Sequence, residues 1–392
     1  MAIGPLIRDL RLAKGMSLAE LAAEVCRLSG RDTVTRHDVS RWESGRRSPQ
    51  VYWRRYLAQA LEVTVEDLSP VNRREFVVAA VGLPAIPRPN IRRVGAADVT
   101  ELRERFARLR NLDSYAGGGD TYRLFIGELD FTQYVLSHGS HSDATVRALS
   151  ALAAEQAQQC GWAAFDAGHL ATALQLYEYS RQAAEAAESP VLAANALIQT
   201  AYATTNRRSV DAADAACRTV DRTESPQTRA LLESRKAWSY AAVGDASNAQ
   251  ASLDAAHTAL DEVADAVAPH WARWMDATEL EIMDGRVWAL LRAPRRAIPA
   301  LENALRTYPD QWARDKSLYL TSLADAYLDA GEAERSAQVA NSAIRLAERV
   351  ASVRPAIRIR DVANRLAAVG GPGAAAVERA ADTLRPPVPT RL

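Results

Sequence analysis

The sequence is poor in the residues that secreted, membrane-spanning and metal-binding proteins depend on. Only three of its 392 residues are cysteines, and they lie far apart in no metal-ligand spacing: Cys26, Cys160 and Cys217. No run approaches the roughly 18 consecutive apolar residues that a membrane span needs. The first residues lack the basic-then-apolar order of a signal peptide. These absences predict a cytoplasmic protein without disulfides, a metal or membrane contact.

Net charge is also absent, because 48 basic residues balance 48 acidic ones. The charges are nevertheless unevenly placed: residues 1–95 carry 16 basic against 10 acidic side chains, and the remainder carries 32 against 38. A basic front and an acidic body are typical of a nucleic-acid-binding module joined to a part that does not bind DNA. By itself this asymmetry is a weak signal.

Helical periodicity runs through the chain without strand-like alternation, so the expected fold class is all-α. Residues 1–68 predict a compact five-helix bundle, 69–97 a linker rich in Pro and Arg, 98–370 a long helical region, and 371–392 a Pro- and Gly-rich tail. The five short helical patterns are Ile3–Ala13, Ser17–Leu28, Thr35–Glu43, Tyr52–Leu61 and Val65–Leu68.

The long helical region repeats. Small residues recur at spacings of 39, 37, 48 and 40 residues, at Ala173, Ala212, Ala249, Ala297 and Ala337. Several units also pair a small residue with an aromatic three positions later, as in Ala324 with Tyr327. This region resembles tetratricopeptide-repeat proteins over about 220 residues. The resemblance implies a solenoid of helical hairpins. A helical bundle with accidental alanine spacing is the alternative.

In a tetratricopeptide solenoid the first helices line a concave groove that binds a peptide or another partner. With this register, the inward positions and candidate ligand-binding residues are Gln158, Trp162, Asp166, Thr200, Thr204, Trp238, Arg286, Asp325 and Asp329. Aromatic rings among scattered polar groups suit a ligand groove. The alternative for Trp162 and Trp238 is ordinary packing.

Two capping signals define the central helices of the front bundle. Ser17 suits the N-cap of the second helix with Glu20 at the third helical position, and Thr35 with Asp38 repeats the arrangement at the third helix. In a capping box each side chain accepts a hydrogen bond from the other residue's backbone N–H. These positions predict where both helices begin.

The third helix should bury Val39 and Trp42, which lie three residues apart, and expose its remaining side chains. The stretches 15–22 (GMSLAELA) and 34–49 (VTRHDVSRWESGRRSP) resemble the helix-turn-helix family of phage-repressor-type, Xre-like regulators, over about 65 residues. In that family the third helix enters the DNA major groove.

The resemblance implies base contacts from Arg36, His37 and Arg41, with Ser40 beside them, and phosphate contacts from Arg46 and Arg47. Ser17, Arg27 and Arg31 complete the candidate DNA-binding residues. Leu18 replaces a glutamine that many family members use against the DNA backbone. The connection over 26–34 is about seven residues longer than the family's turn. It either adds phosphate contacts or lengthens the second helix. The alternative for all these charges is a solvated helix face.

Motifs for catalysis are missing. The chain has no phosphate-cradling Gly loop, dinucleotide fingerprint or nucleophile elbow. His138 and His141 lack further ligands at helical spacing. We therefore expect a non-enzymatic protein without a cofactor: a homodimeric regulator that binds double-stranded DNA at a palindromic operator and senses a small peptide or metabolite. The alternative is a protein-interaction scaffold with a vestigial DNA-binding domain.

Overall fold

A computed structural model describes residues 3–44, 46–47, 49, 51–61, 93–110, 118–221, 224–262, 266–350 and 352–384. The chain separates into two compact units, Met1–Pro87 and Arg88–Leu392. Within the described ranges all regular structure is helical, which confirms the predicted all-α class. None of the helices described is both long and apolar enough to cross a membrane.

The first unit contains four described helices. They are α1 (Ile3–Ala13), α2 (Leu18–Ser29), α3 (Arg36–Glu43) and α4 (Val51–Leu61). The fifth predicted helix, Val65–Leu68, and most of the predicted linker lie outside the described residues. The helix α2 continues to Ser29 and ends at Gly30, whose backbone is left-handed with φ 67°. Part of the long connection therefore lengthens the second helix.

The bundle core forms where the helical periodicity places large apolar side chains. It contains Ile7, Leu21, Val25, Val39, Trp42, Leu57 and Leu61, each less than 5% exposed. A buried ion pair also links α1 to the end of α3. The Arg11 guanidinium donates from Nε and Nη2 to the two Glu43 carboxylate oxygens at 2.6 and 3.1 Å. Its Nη1 donates to the Met16 carbonyl at 2.6 Å.

The second unit is a series of helical hairpins. Two helices come first, α5 (Ala96–Arg110) and α6 (Gly118–His138). Six hairpins then follow as α7 (Asp143–Asp166) with α8 (Leu170–Ala186), α9 (Pro190–Ala203) with α10 (Arg207–Thr219), α11 (Pro226–Ala242) with α12 (Ala246–Asp261), α13 (Ala277–Leu290) with α14 (Pro294–Thr307), α15 (Ala313–Asp329) with α16 (Ala333–Ala347), and α17 (Val353–Val369) with α18 (Pro372–Thr383).

Three hairpins turn in the same way, at glycines that the sequence places there. Gly168, Gly244 and Gly331 have φ between 79° and 89°, a left-handed conformation that side chains with a Cβ adopt only at a cost. In each case the next residue's N–H donates to a carbonyl in the last turn of the first helix, as His169 does to Ala164 at 2.8 Å. This closure satisfies carbonyls that the helix end would leave unpaired.

Helices within a hairpin cross closely where the sequence supplies a small residue. A Cβ added to Gly161 would lie 2.4 Å from the ring of Tyr177, and one added to Gly285 would lie 2.4 Å from Leu301. The repeat alignment is one residue off in α10, where Ala213 is fully buried and Ala212 is only half-buried. The buried residues of that helix are spaced three, four and seven positions apart, and the face that they form includes position 213.

The predicted C-terminal tail is wrong over much of its length, because residues 372–383 form α18. Pro372 suits the first turn of a helix, where its missing N–H is not needed. Ala374, Val377 and Ala381 are each at most 4% exposed. Their spacing of three and four residues places one apolar stripe against the preceding hairpins. The remainder, 385–392, lies outside the described residues.

Candidate functional site

Both predicted capping boxes are present and fix the start of α2 and α3. The Ser17 hydroxyl accepts from the Glu20 N–H at 3.2 Å, and the Thr35 hydroxyl accepts from the Asp38 N–H at 3.3 Å. Each acid in turn accepts from the backbone N–H of its cap residue. The hydrogen bonds from Thr35 hold the pKa of Asp38 below its usual value, so the capping carboxylate stays ionised.

The outer face of α3 is polar and cationic, while its inner face is fully packed. Val39 is 0% and Trp42 is 4% exposed. The predicted base-contacting residues and the two arginines that follow the helix all have exposed side chains: Arg36, His37, Ser40, Arg41, Arg46 and Arg47. We call this set the basic face. Its guanidinium groups can meet a ligand without any change in the bundle core.

The remaining DNA-binding candidates, Ser17, Arg27 and Arg31, differ in the partners that their side chains contact. Ser17 uses its hydroxyl in the capping box. Arg27 donates to both oxygens of the Glu24 carboxylate, so part of its charge is already neutralised. Arg31 lies in the connection before α3, with its guanidinium 4.9 Å from the ring centroid of Tyr52.

In the second unit, aromatic rings and guanidinium groups from five helices, one of which carries Tyr202 itself, come together around Tyr202. We define the arginine–aromatic cluster by its members: Trp162, Phe165, Asp166, Tyr202, Arg235, Trp238, Arg286 and Arg354. The first helices of four successive hairpins supply seven of them, and the start of the sixth hairpin supplies Arg354. The inner face of the repeat therefore carries charge and aromatic surface together.

Tyr202 lies between the two predicted tryptophans. Its ring centroid is 6.1 Å from that of Trp162, with the planes at 25°, and 6.1 Å from that of Trp238. The Tyr202 hydroxyl oxygen accepts hydrogen bonds from Arg286 Nη2 at 3.0 Å and Arg354 Nη2 at 3.1 Å. The register that placed both tryptophans on one face is consistent with these contacts.

The cluster changes the acidity of Tyr202 strongly. Burial by itself raises the pKa of a phenol, but the positive charges of Arg286, Arg354 and Arg235 outweigh it and lower the pKa of Tyr202 to about 7. Burial also lowers the pKa of the Arg235 guanidinium, with Tyr202 opposing this effect and Arg286 reinforcing it. The shift of Tyr202 thus reflects the three guanidinium groups around its ring, whereas that of Arg235 reflects mainly its burial.

Asp166 connects the cluster to the far end of the repeat. This carboxylate is fully buried at the end of α7 and accepts a hydrogen bond from the Ser352 hydroxyl at 2.7 Å. Arg314 and Arg354 each bring Nη1 to 3.8 Å from its oxygens. The first and last hairpins therefore meet at this carboxylate, although Asp166 and Ser352 are 186 residues apart in the sequence.

Other predicted ligand residues have different partners. Gln158 is buried and joins α7 to α9 through hydrogen bonds with Asn195 and the Leu192 carbonyl. Thr200 and Thr204 donate to carbonyls of their own helix. Asp325 and Asp329 form a separate set of ion pairs, whose arginines are Arg292, Arg358 and Arg365. Of the predicted set, the structure thus brings together Trp162, Asp166, Trp238 and Arg286.

Sequence reasoning missed four members of the cluster, Phe165, Tyr202, Arg235 and Arg354, and one neighbour of Asp166, Arg314. Arg235 had a usable signal, because it lies three residues before Trp238 and shares its helix face. Tyr202 stood out only as the aromatic of a degenerate repeat. Arg354 and Arg314 had no local signal, since they reach Asp166 only through the packing of distant hairpins.

The chain matches no protein-family model, and no curated protein is significantly similar to it.

Proposed function

We propose that this protein is a cytoplasmic transcriptional regulator that binds double-stranded DNA through its first unit and an effector through its helical-repeat unit. The observation that carries the proposal is the basic face: four exposed arginines, a histidine and a serine on and after a short helix whose other face is buried. A helix of eight residues held by a capping box is short and rigid enough to enter the major groove.

The chemistry of each residue suits a separate part of a DNA duplex. Arg36 and Arg41 can each donate two hydrogen bonds to a guanine edge, a contact worth about 1–3 kcal/mol of discrimination. Arg46 and Arg47 follow the helix and suit phosphates, which contribute affinity without sequence preference. One small domain makes few contacts, so a homodimer on a palindromic operator is the expected binding form.

The effector is proposed to bind at the arginine–aromatic cluster, as a small peptide or metabolite. A ligand alters DNA binding only when it favours one conformation of the protein over another. The cluster is suited to this, because its members come from five helices and Asp166 joins the first hairpin to the last. A ligand that changes these contacts would change the packing of the whole repeat.

The DNA proposal is tested by selecting preferred sequences for the full chain from a random double-stranded library. The variant Arg36→Ala, Arg41→Ala should lose at least tenfold affinity for the selected sequence, because it removes both expected base contacts. A matched control is Arg8→Ala, which removes an exposed arginine from α1. Unchanged affinity of the double variant in a mobility-shift assay, or no retention on DNA at low salt, would refute the proposal and favour a protein-interaction scaffold.

A further inference from the structure

Three guanidinium groups of the second unit lie close together with few acidic groups near them. Arg235, Arg286 and Arg354 lie 4.9, 5.8 and 5.6 Å from the ring centroid of Tyr202. Among the described residues, Asp166 is the only acid within ion-pair distance of any of the three, and it contacts only Arg354, at 3.8 Å. Asp166 also contacts Arg314, and the Glu279 carboxylate, whose negative charge acts to raise the pKa of both Arg235 and Arg286, lies beyond ion-pair distance of either guanidinium in the described part of the chain.

Hydrogen-bond donors of these arginines are also unused. Nη1 of Arg235 and Nε of Arg286 are buried without a hydrogen-bond partner in the described part of the chain. Arg286 is only 7% exposed, and its Nη1 contacts the Met283 sulfur, which is a weak acceptor. A buried donor without a partner destabilises the fold, and more so when the donor is charged. A bound acceptor would remove this cost.

Several arginines elsewhere in the unit are paired with carboxylates. Arg365 donates to Asp325 and Asp329, and Arg181 lies against Glu178 and Glu185. The Glu279 carboxylate near the cluster accepts instead from the hydroxyls of Tyr308 and Tyr319 at 2.8 and 3.0 Å. Arg235 and Arg286 therefore lie among aromatic rings without a carboxylate that pairs with either of them within the ranges that the structure describes.

An exposed aromatic ring borders the same arginines. The Arg235 guanidinium lies between the ring of Tyr202 and that of Trp274, at 4.9 and 5.6 Å from their centroids. Trp274 is 44% exposed and donates its indole N–H to the Trp271 carbonyl, which fixes the ring at the edge of the cluster. An apolar group beside a bound anion would therefore find a flat surface ready to cover it.

We propose that the arginine–aromatic cluster binds a small oxyanion, a carboxylate or a phosphate, that carries an apolar or aromatic group. The anionic group accepts hydrogen bonds from Arg235 and Arg286 and balances the charge that Asp166 leaves unmatched. The apolar group lies on Trp274. This inference names the chemical class of the proposed effector and so rests on the effector half of the proposed function.

The test measures binding of benzoate and phenyl phosphate to the full chain, by calorimetry and thermal unfolding at constant ionic strength. Benzamide is the neutral control, and inorganic phosphate separates the anionic group from the aromatic one. We expect either aromatic anion to raise the unfolding temperature, and benzamide to leave it unchanged. Stronger binding of one of the two anions identifies the carboxylate or the phosphate as the natural group.

The variant Arg235→Gln should weaken anion binding at least tenfold and should raise the unfolding temperature without ligand, because it removes a buried charge that lacks a partner. Arg181→Gln, which removes an arginine already paired on the surface, should bind as the wild type does. Arg235→Met keeps an apolar stem of similar length and should behave like Arg235→Gln. A less stable or unfolded Arg235→Met would show that the charge is structural and would overturn the proposal.

A second readout follows Tyr202 itself. A bound anion neutralises the arginines that favour the phenolate, so the near-ultraviolet tyrosinate band at neutral pH should weaken on binding, and Tyr202→Phe should lack this change. Failure of all the anions to bind, or equal binding by Arg235→Gln, would refute the inference. Since no step of this test involves DNA, such a failure leaves the DNA-binding proposal intact, and a failure to bind DNA leaves this one intact.

Discussion

Replacing Gly161 by alanine tests how closely the hairpin helices cross. The new Cβ would lie 2.4 and 2.7 Å from the Cε1 and Cδ1 atoms of Tyr177, closer than atoms that are not bonded can lie. Tyr177 is only 1% exposed, so its ring has no free space into which to move. Overpacking of this kind costs about 1–3 kcal/mol. In a helix interior alanine is more favourable than glycine by about 0.5–1 kcal/mol, which offsets part of this cost. We expect a net loss of about 1–2 kcal/mol.

A matched control has the opposite expected sign. Gly127 lies in the middle of α6 with nothing within 4 Å of an added Cβ, so Gly127→Ala should stabilise the protein by about 0.5–1 kcal/mol. Urea denaturation of the full chain, followed by circular dichroism, gives both free energies of unfolding. In a Tyr177→Ala background the penalty of Gly161→Ala should disappear. A Gly161→Ala variant as stable as Gly127→Ala would refute the close crossing.

Three further predictions address the buried ion pair, the ionisable tyrosine and the basic face. Glu43→Gln should destabilise the first unit by about 3 kcal/mol, because it leaves the Arg11 charge buried without its partner, whereas Glu24→Gln on the surface should cost less than about 1 kcal/mol in the same thermal melts. The pKa of Tyr202 is about 7 in the fold and about 10 in the unfolded chain, so ionisation stabilises the fold increasingly as the pH rises from about 7 to about 10. Tyr202→Phe should therefore lose stability relative to wild type across that window, and a pH-independent difference would contradict this. Arg46→Ala should weaken binding to all DNA sequences alike and reduce the salt slope by about one unit; a sequence-selective loss would contradict a phosphate contact.

Local signals in the sequence predicted where the central helices of the first unit begin and which side chains of its third helix are buried. The capping boxes at Ser17 and Thr35 each depend on residues three apart, and helical geometry brings those residues together whatever the rest of the chain does. The same holds for Val39 and Trp42, whose spacing places both against the core. The Arg11–Glu43 pair was not predicted, because it needs the crossing of α1 over α3, which no local pattern encodes.

The repeat was predictable to the extent that its turns and close crossings recur. Gly168, Gly244 and Gly331 identify three hairpin turns, because a left-handed residue is needed where the first helix stops. The tail was misread because Pro and Gly near residue 371 resemble a linker, although Pro372 also begins helices well. Composition by itself does not separate these two uses of proline.

The arginine–aromatic cluster shows why charge balance is the hardest property to read from a sequence. The chain has equal numbers of acidic and basic residues, and several arginines of the repeat pair with a carboxylate on their own helix or on a neighbouring one. Arg354 instead lies beside Tyr202, 152 positions away, and Asp166 is shared between two arginines. A neutral total therefore coexists with a local excess of positive charge, because the packing of first helices decides which charges become neighbours. Such an excess in a partly buried site is costly unless a negative group binds there, and under the proposal made above this cost would make the site select anions over neutral ligands of the same shape.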